Sequence, residues 1–170
     1  MNQLTLEFEA TECNGWPNLR FCIDQDIQQE ITFSGPDACV TLDLNLVNGV
    51  HELEIERYGK QDTNIVFVDN KILQDQLVTL TAIYVDDVRL PDVFKYAGTF
   101  YYQDHVIPAG TVWGPNGRFI WLFETPILKW LIAQQKKGIT PAGDLFNPNN
   151  TKKLLNDLAE FKYIINGQDN

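Results

Sequence analysis

The side chains best placed for chemistry in this chain are carboxylates at turns. Asp24 and Asp26 flank Gln25, Asp86 and Asp87 are adjacent, and Asp62 stands in a polar loop over residues 59–64. Calcium takes six to eight oxygens, often from loop carboxylates and backbone carbonyls. These aspartates are therefore the candidate calcium ligands, and calcium is the one cofactor the residues suggest. Glu12 and Asp69 occupy further loops. No DxDxDG loop gathers any of them, and an aspartate at a hairpin tip fixes the turn whether or not a metal is bound. Aromatic side chains form a second set. Trp16 sits in TECNGWPN, and Trp113 lies among Gly110, Gly114, Pro115 and Gly117, so both indoles fall in loop-like settings. With Tyr96, Tyr101 and Tyr102 they offer flat faces for a sugar or an anchor for a protein partner. Most aromatics of a β-sandwich belong to its core, so the two loop tryptophans and the Tyr101–Tyr102 pair are the contact candidates.

No catalytic signature accompanies these groups. The chain has no GxSxG, no HExxH and no phosphate-cradling glycine-rich loop. Neither histidine, His51 or His105, has a serine or cysteine at a spacing that makes a triad. His51 lies on a strand face opposite a row of glutamates, where a hydrogen-bonded structural histidine is expected rather than a base. The chain is read as a non-enzyme. Cys13, Cys22 and Cys39 are odd in number and lack a CxxC pair, which fits reduced thiols and no zinc site.

The elements that must position these residues alternate with the two-residue period of half-buried strands. The organising stretch is residues 49–87. In its first strand, Val50, Glu52, Glu54 and Glu56 point one way, and His51, Leu53, Ile55 and Arg57 the other. A short apolar run follows at residues 65–68, then a turn at Asp69–Asn70. The run 76–85 is apolar on both faces and predicts a central strand covered on both sides. Earlier strands are expected at 4–10, 19–24, 28–34 and 38–47. Asn48–Gly49 is the strongest hairpin signal, so the strand 38–47 should pair antiparallel with 50–58. Further strands are expected at 94–102 and 118–124, with a loop or edge at 88–93 carrying Pro91. Short strands with regular turn signals predict a mainly β chain, an antiparallel jelly-roll β-sandwich over residues 1–125.

At Pro126 the spacing becomes helical. Residues 126–137 and 151–165 predict two C-terminal helices, an appendage over 126–170 rather than an independent domain. Leu154, Leu155, Leu158 and Phe161 form an apolar stripe on the second. That stripe either plugs one end of the sandwich or docks on a neighbouring chain.

Charge narrows the partners. With 23 acidic and 13 basic side chains the net charge is −10, and a chain without a basic stripe is poorly suited to neutralising phosphates, so nucleic acid is not expected. The basic segment 129–137 reads as a solvated helix face. No apolar run approaches the roughly 20 residues of a membrane span. MNQLTLEFEA has no basic segment followed by an apolar one, so no secretory leader is expected.

ECNGWPNLRFCID, then NGVHELEIERYGKQDTNIV, an acidic turn, a long β run and Asp86–Asp87 resemble a domain that recurs in tailed-phage proteins. That domain is in turn similar to the calcium-dependent xylan-binding modules, which are jelly-roll sandwiches. The resemblance covers residues 4–90, and HxLxIxxYGK at His51–Lys60 is its most specific piece. It implies a non-enzymatic jelly roll with calcium ligands near Asp62 or Asp86. The main expectation is a structural component of a bacteriophage virion, a capsid decoration or accessory protein. Its partners would be other virion proteins of capsid or tail, or further copies of itself. The alternative is a calcium-dependent carbohydrate-binding module that attaches to glycans.

Overall fold

A computed structural model of the chain describes residues 2–133, apart from 97, 104, 108, 109, 128 and 131. Strands dominate: β1 (Asn2–Ala10), β2 (Asn18–Ile23), β3 (Asp26–Thr32), β4 (Asp37–Leu44) and β5 (Gly49–Tyr58) come first. A 3₁₀ turn, Asp62–Asn64, leads into β6 (Ile65–Val68) and β7 (Lys71–Asp75), followed by β8 (Val78–Val85) and β9 (Val88–Arg89). A second 3₁₀ turn, Asp92–Tyr96, precedes β10 (Thr99–Tyr102), β11 (His105–Ile107), β12 (Val112–Trp113) and β13 (Gly117–Thr125).

The strands make two facing antiparallel sheets and a small outlying one. One sheet runs β12-β8-β1-β4, with β9 beside β8; the other runs β11-β10-β13-β5-β2-β3. The hairpin β6-β7 stands apart as its own two-stranded sheet. Alternation decides which residues meet between the layers. Leu4, Leu6 and Phe8 of β1, Leu19 and Phe21 of β2, Val40 and Leu42 of β4, and Leu53 and Ile55 of β5 are all buried in one apolar cluster. Phe119, Trp121 and Phe123 of β13 complete it. The core continues past residue 125. Ile127 is buried in it, and Trp130 packs on Trp121 and Phe94 at ring distances of 5.9 and 6.2 Å.

Three expectations change. The Asn48–Gly49 hairpin does not form: β4 pairs with β1, whereas β5 pairs with β2 and β13. Residues 45–48 carry the chain from one sheet to the other, because β5 has both edges taken in the opposite layer. The two-residue hairpins lie at Asp24–Gln25, Asp69–Asn70 and Asp86–Asp87, where both central residues have positive φ. Second, among the described residues β8 packs one face into the core. Its register against β1 shifts between Glu7 and Phe8, so Val78 and Leu80 face the core before the bulge and Ile83 and Val85 after it. A bulge reverses parity, and that is why both faces of the sequence look apolar. Third, the strand expected over 94–102 is half a 3₁₀ turn. Phe94 is buried from that turn, and pairing with β13 starts only at Thr99.

Of the expected helix over 126–137, residues 127, 129, 130, 132 and 133 are helical, and Trp130 N donates to Pro126 O at 3.1 Å. Residues 134–137, and the helix over 151–165 with Leu154, Leu155, Leu158 and Phe161, lie outside the described residues.

Candidate functional site

Where β5 ends, Gly59 adopts φ +81°, a conformation that turns the chain out of the sheet. The following loop is tightened by Asn64: Gln61 N donates to Asn64 Oδ1 at 2.8 Å, and Asn64 N to Gln61 O at 2.9 Å. Opposite it, residues 114–116 connect β12 to β13. The two loops are stitched by one amide. Lys60 N donates to Asn116 Oδ1, and Asn116 Nδ2 donates to Lys60 O, both at 2.9 Å. Between them, the end of β7 and the end of β10 lies a cleft of about 520 Å³. Tyr102, Gln103, Gln61 and Asn116 line it together with the carboxylates of Asp62 and Asp75, and Ile65 and Pro115 supply apolar wall. Tyr102 is 37% exposed.

The wall beneath the cleft holds two cations. Lys60 and Arg57 side chains are 7% and 1% exposed. The Lys60 ammonium forms an ion pair with Asp75 and donates to Gly114 O at 2.8 Å and Gln76 O at 3.2 Å. Arg57 donates from one terminal nitrogen to Gly114 O, and from the other to Gln76 O at 2.6 Å and Gln76 Oε1 at 3.1 Å. Its Nε has no hydrogen-bond partner among the described residues. Burial lowers the Arg57 pKa to about 10, against the opposing pull of Asp75, so the guanidinium remains charged near neutrality. Gln76 Nε2 donates onward to Gly15 O at 2.9 Å, and Asn64 Nδ2 to Cys13 O at 2.8 Å. The loop 11–17, with Asn14 and Gly15 at positive φ, is thereby fastened under the cleft.

A separate constellation closes the far end of β5. Asp24 Oδ1 accepts from Glu52 N at 2.9 Å, and its Oδ2 lies 2.6 Å from His51 Nδ1. His51 Nε2 lies 2.8 Å from Val47 O. Both ring nitrogens thus face acceptors, an arrangement that a ring carrying hydrogens on both satisfies in full. Its pKa is raised, first by the Asp24 bond, and that of Asp24 is lowered, first by the His51 bond. Thr125 Oγ1 stands 3.2 Å from His51 Nε2 but donates to Val47 O at 2.6 Å. The line Asp24–His51–Thr125 is a clamp on the crossover at residues 45–48. A doubly protonated ring has no lone pair to take a proton from Thr125.

The expected calcium ligands do not gather. Asp24 has both oxygens engaged. Asp86 Oδ1 accepts from Gln3 N at 2.7 Å, closing the β8–β9 turn onto β1. Asp26 and Asp87 are exposed at hairpin turns, and only Asp62 lies on the cleft. Among the described residues no three metal-ligating side chains form a group. The oxygens that do converge, on Asp75, Gln76 and Gly114, are already bound to ammonium and guanidinium. Among the described residues this donor set does not fit calcium.

Among the contact candidates, Trp113 is a correction. It is 1% exposed and stacks on Phe100 and Phe119 at 5.7 and 5.1 Å, with its Nε1 donating to Gly110 O at 3.1 Å. Glycines and prolines surround it because a two-residue strand, β12, carries it into the core. Trp16 is half-buried against the core, and Tyr101 is half-buried on β10. Tyr102 alone of these candidates reaches the cleft. Sequence reasoning missed Lys60, Arg57, Gln61, Gln76, Gln103 and Asn116. One signal was available: Arg57 continues the core-facing row His51, Leu53, Ile55, and a cation there requires buried acceptors.

No family model matches the chain, and no curated protein sequence matches it. Two solved structures overlap its sandwich. One is vCBM60 in complex with galactobiose, 10% identical, covering 70% of this chain and 96% of its own, with a TM-score of 0.49. The other is the selenomethionine form of vCBM60, from a description of circular permutation linking two families of calcium-dependent carbohydrate binding modules. It is 12% identical, covering 71% of this chain and 90% of its own, also at 0.49. At these scores the likeness carries no ligand or metal across. Neither structure points to a virion, and the stripe expected to dock there lies outside the described residues.

Proposed function

We propose that this chain is a non-catalytic sugar-binding β-sandwich whose ligand sits in the cleft between residues 59–64 and 114–116. The supporting observation is the company Tyr102 keeps. A part-exposed phenol ring shares the cleft with the amides of Gln61, Gln103 and Asn116 and the carboxylate of Asp62. A sugar ring presents an apolar C–H face and a rim of hydroxyls. The phenol suits the first, and amides and carboxylates, which donate and accept, suit the second. A neutral oligosaccharide fits better than a charged one, because the three Lys60 N–H groups are spent on protein oxygens. The jelly-roll description belongs to this proposal too: successive strands β3, β4 and β5, and later β8, β10 and β12, alternate between the two sheets, as strands do in such folds.

The test is a panel of immobilised neutral oligosaccharides, followed by calorimetry on any that bind. Tyr102→Ala is expected to weaken binding by about tenfold or more, the loss of roughly 1.4 kcal/mol, with the melting temperature unchanged. A panel without a single binder would end the sugar reading. Binding that survives Tyr102→Ala would move it away from this cleft.

A further inference from the structure

We propose that Lys60 is the resident cation of the cleft, doing with Arg57 what a divalent metal would otherwise do, so that the rim at residues 114–116 is set without calcium. The argument is a count of donors and lone pairs. An ammonium has three N–H donors, and here three acceptors meet it: Asp75, Gln76 O and Gly114 O. A carbonyl oxygen has two lone pairs. Gln76 O and Gly114 O each accept from both Lys60 and Arg57, so neither has one left for a metal.

Among the described residues, the charged oxygens that remain nearby are one of Asp75 and the two of Asp62, beside the neutral amide oxygens of Gln61 and Gln103. That is short of the six to eight oxygens calcium takes, and it stands beside two fixed positive charges. The arrangement also has a mechanical effect. Gly114 O is held by both cations, and the next residues, Pro115 and Asn116, form one lip of the cleft. Asn116 is in turn locked to the Lys60 backbone. Lys60 is therefore a positioning residue: its ammonium is spent on protein oxygens, and it places the groups that would meet a ligand.

The second half of this inference, an effect on binding, rests on the sugar reading; the first half does not. Thermal unfolding of the full chain is expected to give the same melting temperature in millimolar calcium as in millimolar EDTA. A fall of several degrees on chelation would overturn the proposal. Lys60→Ala is expected to melt lower than wild type, and added n-propylammonium to restore part of the loss while leaving wild type unmoved. A Lys60→Ala protein that melts like wild type, or one that propylammonium does not restore, counts against it. Should Lys60→Ala fail to fold, the chelation experiment on wild type still decides. If wild type binds an oligosaccharide, EDTA is expected to leave the affinity within about twofold and Lys60→Ala to reduce it about tenfold or more. Binding abolished by EDTA would overturn the inference while leaving the sugar reading standing. An empty sugar panel would remove the latter and leave the melting tests intact.

Discussion

His51 and Asp24 show how much one polar pair settles. The aspartate carboxylate fastens the β2–β3 turn to β5 and favours the charged form of the histidine, and the histidine fastens the crossover carbonyl of Val47. The two shifts have opposite pH dependence. The His51 pKa is raised, so its contribution is complete below its ordinary value of 6.5 and is lost as pH rises through the folded value. The Asp24 pKa is lowered, so its contribution is present above its ordinary 3.8 and is lost as pH falls through the folded value. The clamp is therefore strongest between those two ordinary values. Asp24→Ala is expected to lower the melting temperature most near pH 5, roughly midway, and progressively less toward the alkaline side. NMR titration of His51 in that variant should return its pKa toward the usual range. A melting difference independent of pH would refute the charged pair.

At the scale of elements, the tight turns do more than reverse the chain. Asp86 and Asp87 occupy equivalent places with φ of +48° and +65°, a region where a side chain is strained and glycine is not. They differ in contacts. Asp86 also accepts from Gln3 N, joining the turn to the end of β1, and Asp87 is exposed. Asp87→Gly is expected to match or exceed wild type in melting temperature, because relief of strain offsets the greater freedom of the unfolded chain. Asp86→Gly is expected to fall below it, because the carboxylate bond to β1 is lost. Equal melting temperatures for the two variants would show that the carboxylate contributes nothing. The β6–β7 hairpin behaves differently from the sandwich strands. Phe67, Val68, Ile72 and Leu73 are all exposed on it, whereas Val78 and Leu80, the nearest core residues of β8, are buried. A two-stranded sheet has too few neighbours to cover its own apolar groups.

At the scale of the whole molecule, the apolar cluster formed by the described residues spans 4–130. Deleting residues 151–170 is therefore expected to leave a cooperatively folded sandwich, with a melting temperature close to that of the full chain. Circular dichroism that lost its β signal or its sharp transition on truncation would contradict this. The same truncated chain tests the expectation that Leu154, Leu155, Leu158 and Phe161 serve assembly, by comparing its sedimentation with that of the full chain. The charge of −10 is spread over strand faces as well as turns. On the outer face of one sheet, Arg20 pairs with Glu30 and Glu56, and Arg118 with Glu54, so part of the acidity is locally balanced.

Alternation by itself determined the class of fold and most of the core, because a strand with one face against another layer must repeat every second residue. It also placed His51 among structural groups and put Arg57 in the core-facing row. What it left open was pairing. The Asn48–Gly49 signal was local, and it lost to the non-local hydrogen bonding of β5 with β2 and β13. The parity of β8 depended on a bulge that only its partner strand reveals. The site was hidden for the same reason. Lys60, Asp75, Gly114 and Asn116 are distant in sequence, and two backbone carbonyls, which carry no residue identity, accept four of the six hydrogen bonds that hold the two cations. Only the folded chain brings those oxygens to one place around the two cations.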